Sequence, residues 1–183
     1  MLYIMRHGRT DWNSQRRIQG QTDIPLNDEG RQMAKDAAEE YRDIHFDVCY
    51  CSPLIRARET AELLLAGRDV PIVFDDRLKE MSFGEYEGFQ NSFDHPDCLV
   101  NVLFWHPEEY KEPVPGGESL DALYARTGAF LKEKVEPDLA AGKDVLIVAH
   151  GATNSCIKCQ VDKRPVEEFW KGGIPNCKLQ QLL

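Results

Sequence analysis

Three short apolar runs stand out along the chain, at Leu2 to Met5, Asp47 to Cys51 and Val145 to Ala149. They predict buried parallel strands. Ile72-Val73-Phe74 and Lys178 to Leu183 are weaker strand candidates. Between these runs the apolar period changes to that of a helix. Met33, Ala34, Ala37, Ala38 and Tyr41 share one helical face. Leu120, Leu123, Tyr124, Thr127, Phe130, Leu131 and Val135 form a longer stripe, with Pro137 expected to close it. Ser52-Pro53 predicts a helix start, a capping hydroxyl followed by proline at the first helical position. Leu54, Ala57, Ala61, Leu64 and Leu65 then supply that helix's apolar stripe. Strands alternating with helices imply an α/β fold, a mostly parallel central sheet flanked by helices on both faces. The segment from about 84 to 117 breaks the alternation with scattered aromatics and the turn-rich Pro113-Val114-Pro115-Gly116-Gly117. An irregular insertion of that length predicts a functional cap. Residues 1–183 therefore read as a single domain carrying that cap.

Charge narrows the partners. Thirty-one acidic residues against 22 basic ones give a formal charge of −9. That balance argues against nucleic acid and against an anionic membrane surface. An anionic substrate would have to be captured by a local cluster of arginine and histidine. The amino-terminal apolar run ends at Arg6, too short for a signal peptide or for the roughly 20 residues of a spanning helix, so a cytoplasmic location is expected. The six cysteines, Cys49, Cys51, Cys98, Cys156, Cys159 and Cys177, are then expected to be reduced. Neither Cys49-x-Cys51 nor Cys156-x-x-Cys159 has a supporting thiol–histidine spacing. They read as small buried residues rather than metal ligands.

In an open α/β sheet, ligands bind beyond the carboxyl ends of the strands. The first strand is followed by Arg6-His7-Gly8 and the Val145–Ala149 run by His150-Gly151. If those strands are neighbours, about 4.8 Å apart, both imidazoles can reach one small group. Each glycine would let the backbone approach a ligand closely. The helix after Ser52-Pro53 places Arg56 one turn in, and its start favours an anion. Arg58 lies about 200° around that helix from Arg56, so at most one of them can face the site. Two histidines, two arginines and a helix terminus suit a tetrahedral oxyanion, above all a phosphoryl group. His45, His95 and His106 fall in polar or irregular stretches and read as surface residues.

Arg6-His7-Gly8-Arg9-Thr10-Asp11-Trp12-Asn13 resembles the R-H-G-x-T-x-x-N signature of the histidine phosphatase superfamily, the phosphoglycerate-mutase-like family. Further matches follow in family order. They are Gln19-Gly20 with Asp23 and Pro25-Leu26, Ser52-Pro53-Leu54 with Arg56-Ala57 and Thr60-Ala61, and Leu78 with Glu80 and Phe83-Gly84. Glu87-Gly88, Gly117-Glu118-Ser119 and His150-Gly151 complete the series. The resemblance implies that His7 is the nucleophile that forms a phosphohistidine. It implies that Arg6, Arg56 and His150 hold the equatorial oxygens. Asn13 and the Gly151 backbone would add hydrogen bonds, and Gln19 and Gly20 would line the substrate side. Glu80 would protonate the leaving alcohol and then deprotonate water, a role that asks burial to raise its pKa. Many members carry an arginine shortly after the second His-Gly; here Thr153, Asn154 and Ser155 stand instead, and nothing is assigned to them. Gly151 after the second histidine disfavours the acid-phosphatase branch, which places Asp there.

No cofactor and no metal are expected, and the implied partner is a small-molecule phosphomonoester. Oligomeric state is not readable from the sequence. A phosphoglycerate mutase must also grip a carboxylate, yet Met81 to Gly117 holds one basic residue, Lys111, against Glu85, Glu87, Asp94, Asp97, Glu108, Glu109 and Glu112. That count favours a phosphatase over a mutase. Phe89, Phe93, Phe104, Trp105 and Tyr110 would suit a substrate with an apolar or neutral body, or else pack the cap onto the core. A non-catalytic phosphate-binding member is the remaining alternative, disfavoured because His7, Glu80 and His150 are all present.

Overall fold

The structure is a computed structural model describing residues 1–183. Five strands form one sheet: β1 (Leu2–Arg6), β2 (Val48–Cys51), β3 (Ile72–Phe74), β4 (Val145–Ala149) and β5 (Leu179–Gln181). Their order across the sheet is β3-β2-β4-β1-β5, parallel throughout except that β5 runs antiparallel to β1. The helices are α1 (Asp11–Ser14), α2 (Asp28–Glu40), α3 (Ile55–Leu64), α4 (Val100–Trp105), α5 (Leu120–Phe130), α6 (Glu136–Ala140) and α7 (Gly151–Asp162). No helix is long and apolar enough to cross a membrane.

Strand alternation sorts the core into two layers. Leu2, Ile4, Val48, Tyr50, Val145 and Ile147 face one side, where Phe130 of α5 and Ile157 of α7 cover them. Met5, Cys49, Cys51, Leu146 and Val148 face the other side, against α2 and α3. Ala34 and Ala37 of α2 and Ala57 and Ala61 of α3 are small enough to bring both helices close to the sheet. All six cysteines are free and buried, packing as small apolar residues. A third cluster joins the cap to α5 and α7 through Phe83, Val100, Leu103, Tyr110, Leu120, Leu123 and Cys156. Within the cap, α4 and three one-turn 3-10 segments replace longer elements, and a Phe83–Gly117 bridge closes its base.

Two expected boundaries move. The helix after β2 begins two residues later than Ser52-Pro53 predicts: Leu54 is the capping position and supplies no side-chain bond. Its first N–H, on Ile55, is instead met by Asp23 Oδ1 at 2.7 Å, so the cap comes from another loop. Pro137 does not close the long helix either. Helical structure runs from Leu120 to Ala140 through a π-helical turn at Leu131–Val135. In that wider turn the Glu136 N–H reaches Leu131 O, and the register shift places Pro137 in the first turn of α6, where its missing N–H costs little.

Candidate active site

The register between β1 and β4 pairs Arg6 with Ala149, which sets His7 and His150 side by side at the carboxyl edge of the sheet. Their ring centroids are 5.2 Å apart. Above them lies a cavity of about 520 Å³ lined by Arg6, His7, Asn13, Gln19, Gly20, Arg56, Glu80 and Gly151, among others. Every residue predicted for the site lines it except His150, which is fully buried beneath.

Hydrogen bonds fix both imidazoles. His7 Nδ1 lies 2.7 Å from the Gly8 carbonyl, which can only accept, so Nδ1 carries the hydrogen. Nε2 keeps its lone pair, has no partner in the chain and opens to the cavity. Burial, reinforced by the Arg56 and Arg6 charges, holds the His7 pKa well below the usual imidazole range. The ring is therefore neutral at pH 7, with its Nε2 lone pair free. His150 Nε2 lies 2.7 Å from Ser52 Oγ, which also accepts the Leu54 N–H at 3.3 Å. The Ser52 hydroxyl, with one hydrogen and two lone pairs, can bond Nε2 in either direction while accepting from Leu54. His150 Nδ1 is buried without a partner. Burial and the Arg56 charge hold the His150 pKa down as well.

Arg6 and Arg56 supply positive charge. Arg6 donates to Ile174 O at 3.2 Å; Arg56 donates to Thr22 O at 2.9 Å and to Gly20 O at 2.6 Å. The Nε of each is buried without a partner, and neither guanidinium forms an ion pair. Burial lowers both, Arg56 to about 10, and the Glu80 charge opposes the effect. Desolvated cations without counter-ions are costly unless an anion joins them. Arg58, as the helical phase requires, is exposed and pairs with Glu62 at 2.8 Å.

Glu80 sits at the amino end of α7. Its Oε1 accepts from the N–H groups of Met81 and Thr153 and from Thr153 Oγ1, at 2.9, 3.1 and 3.1 Å. Oε2 accepts only the Ala152 N–H, at 3.1 Å. Oε2 is therefore the oxygen with lone pairs to spare. The N–H of Gly151, first in α7, remains unpaired beside it. Asn13 and Gln19 are half-committed. Their Oδ1 and Oε1 accept from Thr10, which leaves both amide NH₂ groups without partners in the chain.

The glycines differ from their expected roles. An added Cβ at Gly8 would stand 2.5 Å from Gly30 O, so its smallness serves packing against α2 rather than a ligand. At Gly151 a Cβ would make only ordinary contacts, at 3.6 Å from Arg6 and Glu80. Gly20 is the constrained one: φ is +55° and a Cβ would fall 2.2 Å from Glu87 Oε1.

The cap's charge count also reads differently in three dimensions. Of its seven carboxylates only Asp94 lines the cavity. Glu87 is turned away to Gln21 N, Thr22 and Phe83 N. Arg16 and Arg17 line the mouth instead. The electrostatic case against an acidic substrate therefore does not survive, because a count of charges carries no direction. Sequence reasoning missed these two arginines, although they stand between the predicted Asn13 and Gln19. It also missed Ser52 as the partner of His150, and Thr153 as a Glu80 ligand. His45, His95 and His106 are exposed, as expected.

A neutral imidazole facing a cavity between two unpaired guanidiniums, at the carboxyl edge of a parallel sheet, belongs to the class of α/β proteins that handle phosphoryl groups. Residues 2–183 match the family model of the histidine phosphatase superfamily (branch 1), and the chain belongs to that family. It is similar to the 2,3-bisphosphoglycerate-dependent phosphoglycerate mutase 2 of Gloeobacter violaceus, at 33% identity over 97% of this chain and 82% of that one. A mycobacterial glucosyl-3-phosphoglycerate phosphatase, solved with VO3, superposes with a TM-score of 0.84 at 31% identity, covering 97% of this chain and 90% of that one. The alpha-ribazole phosphatase of Shigella flexneri superposes with a TM-score of 0.81 at 26% identity, covering 97% and 87%. Relatives and neighbours thus include both phosphatases and mutases.

Proposed function

We propose that the chain is a phosphomonoester hydrolase working through a phosphohistidine at His7, without a metal or cofactor. The observation that carries this reading is the neutral His7, its Nε2 open to the cavity between Arg6 and Arg56. In the first step His7 Nε2 attacks phosphorus. The N–P bond forms, the P–O bond to the alcohol breaks, and the leaving oxygen takes a proton from Glu80 Oε2. Arg6, Arg56, the His150 ring and the Gly151 N–H receive the charge that spreads over the equatorial oxygens. The amides of Asn13 and Gln19 orient the ester. In the second step Glu80 Oε2 takes a proton from water, whose oxygen attacks phosphorus and releases phosphate from His7.

Water as the final acceptor is supported by the phosphatases among the solved structures this chain resembles, the glucosyl-3-phosphoglycerate and alpha-ribazole phosphatases. The second reading, a phosphoglycerate mutase, is favoured by Arg16 and Arg17 at the mouth and by the Gloeobacter relative. Phosphate release from 3-phosphoglycerate and from p-nitrophenyl phosphate, run beside a coupled 3- to 2-phosphoglycerate assay with 2,3-bisphosphoglycerate primer, separates the two. Hydrolysis without primer, faster than isomerisation, is the expected result. Primer-dependent isomerisation that outruns phosphate release would establish the mutase, and neither activity with any phosphomonoester would leave a binding protein.

A further inference from the structure

The chain has twelve arginines, and where their partners lie divides them. Seven of them, Arg9, Arg31, Arg42, Arg58, Arg77, Arg126 and Arg164, pair with a carboxylate. Arg68 donates to the carbonyls of Tyr41 and Ile44 and lies over the Phe46 ring. The remaining four, Arg6, Arg16, Arg17 and Arg56, all line the one cavity. In a chain of net charge −9 with carboxylates to spare, four unpaired guanidiniums converging on one space mark where external anions bind.

Arg6 and Arg56 suffice for the transferred phosphoryl group, which leaves the outer pair without a ligand. Arg17 is anchored through Nε to Gln15 Oε1 at 2.7 Å and through Nη1 to Gly88 O at 2.9 Å, and its Nη2 is free. Arg16 makes no side-chain bond and holds a left-handed backbone, φ +54°. Its carbonyl accepts the Asn91 N–H at 2.9 Å, which ties this loop to the adjoining cap segment. Asp94 shares the lining but forms no ion pair with either arginine. The same cavity is also lined by Phe93, Phe104 and Trp170, with ring centroids 5.5 and 5.4 Å apart in succession.

We propose that Arg16 and Arg17 form a second anion subsite at the cavity mouth, so that the substrate is a phosphomonoester carrying a second acidic group, carboxylate or phosphate. This rests on the reading of the inner pair as the phosphoryl site. Arg16 is the specificity-determining residue, because its side chain is exposed and bonds to no other part of the fold.

The test uses phosphonates, whose P–C bond cannot be transferred, so that recognition is read apart from turnover. Calorimetry on the wild-type chain compares ω-phosphono carboxylates of three to six carbons with the matching ω-hydroxyalkyl phosphonates. A parallel series of α,ω-bisphosphonates distinguishes carboxylate from phosphate. At one or more lengths the acid should bind about tenfold tighter than its neutral match, the scale of one charge-assisted hydrogen bond. Arg16→Gln should cut that preference to about threefold or less, and Arg16→Lys should keep most of it. Equal binding of acid and neutral ligand at every length, or a full preference in Arg16→Gln, would overturn the subsite. Retained preference with no hydrolysis of any phosphomonoester would strike the hydrolase reading and leave the subsite standing.

Discussion

Both imidazoles of the site are buried, and each is held neutral by its surroundings; acid should therefore destabilise the fold through them. The sign follows from proton linkage. Burial and the nearby Arg56 charge hold the pKa of His7 and of His150 well below the ordinary imidazole value of about 6.5 in the folded state, so below about pH 6.5 the unfolded chain binds more protons than the native one. Stability contributed by neutral burial is complete above about pH 7 and is lost as pH falls. With an unfolded pKa near 6.5, each histidine should cost about 1.4 kcal/mol by pH 5.5, and the pair about 2.8 kcal/mol. That is a large share of a typical folding free energy of about 5–15 kcal/mol. The two groups reinforce one another, since each would have to be protonated beside Arg56 and 5.2 Å from the other ring. The assay is urea unfolding of the wild type, His7→Asn and His150→Gln from pH 7.5 to 5.5. Asn keeps a donor for Gly8 O, and Gln keeps an acceptor for Ser52. Taking differences between wild type and variant removes the contribution of surface groups. Each variant should lose about half of the wild-type pH dependence. A wild-type-minus-variant difference that stays flat across that window would refute the neutral, desolvated imidazoles.

Gly20→Ala should destabilise the fold by about 2 kcal/mol or more, from left-handed strain and displacement of Glu87, and lower turnover by moving the carbonyl that holds Arg56. Urea unfolding checks it, and a loss below about 0.5 kcal/mol would contradict the contact. Glu80→Gln should lower steady-state kcat by about 10²–10⁴. With p-nitrophenyl phosphate, whose leaving group needs no acid, it should show one burst of nitrophenol and then stall, and an undiminished steady state would remove Glu80 from water activation. Because Arg6 and Arg56 carry the positive charge at the phosphate, turnover should survive exhaustive chelation and be inhibited by vanadate. Loss with EDTA and recovery with a divalent ion would show otherwise.

What the sequence made legible follows from short-range physics. Continuous apolar runs at Leu2 to Met5 and Val145 to Ala149 predicted buried strands, and their parallel pairing put His7 beside His150 as expected. Helical phase separated Arg56 from Arg58, because it depends only on a spacing of two residues. The failures need three-dimensional direction. Ser52 and Pro53 carry the composition of a helix start, yet the hydroxyl is claimed by a histidine 98 positions away. Asp23 caps α3 from another loop, a contact invisible to local pattern. The cap is acidic by count, but Glu87 turns back to the Gln21–Thr22 loop while Arg16 and Arg17 face the cavity.

The central claim is a covalent phosphoryl group on His7. Wild-type enzyme mixed with p-nitrophenyl phosphate and quenched within milliseconds at alkaline pH, where phosphohistidine persists, can be digested and read by mass spectrometry. Glu80→Gln serves as the trap if wild-type turnover is too fast. The expected result is one added phosphoryl mass on the peptide containing His7, and none in His7→Asn. Sustained hydrolysis by His7→Asn, or a phosphoryl group found only on another residue, would contradict it.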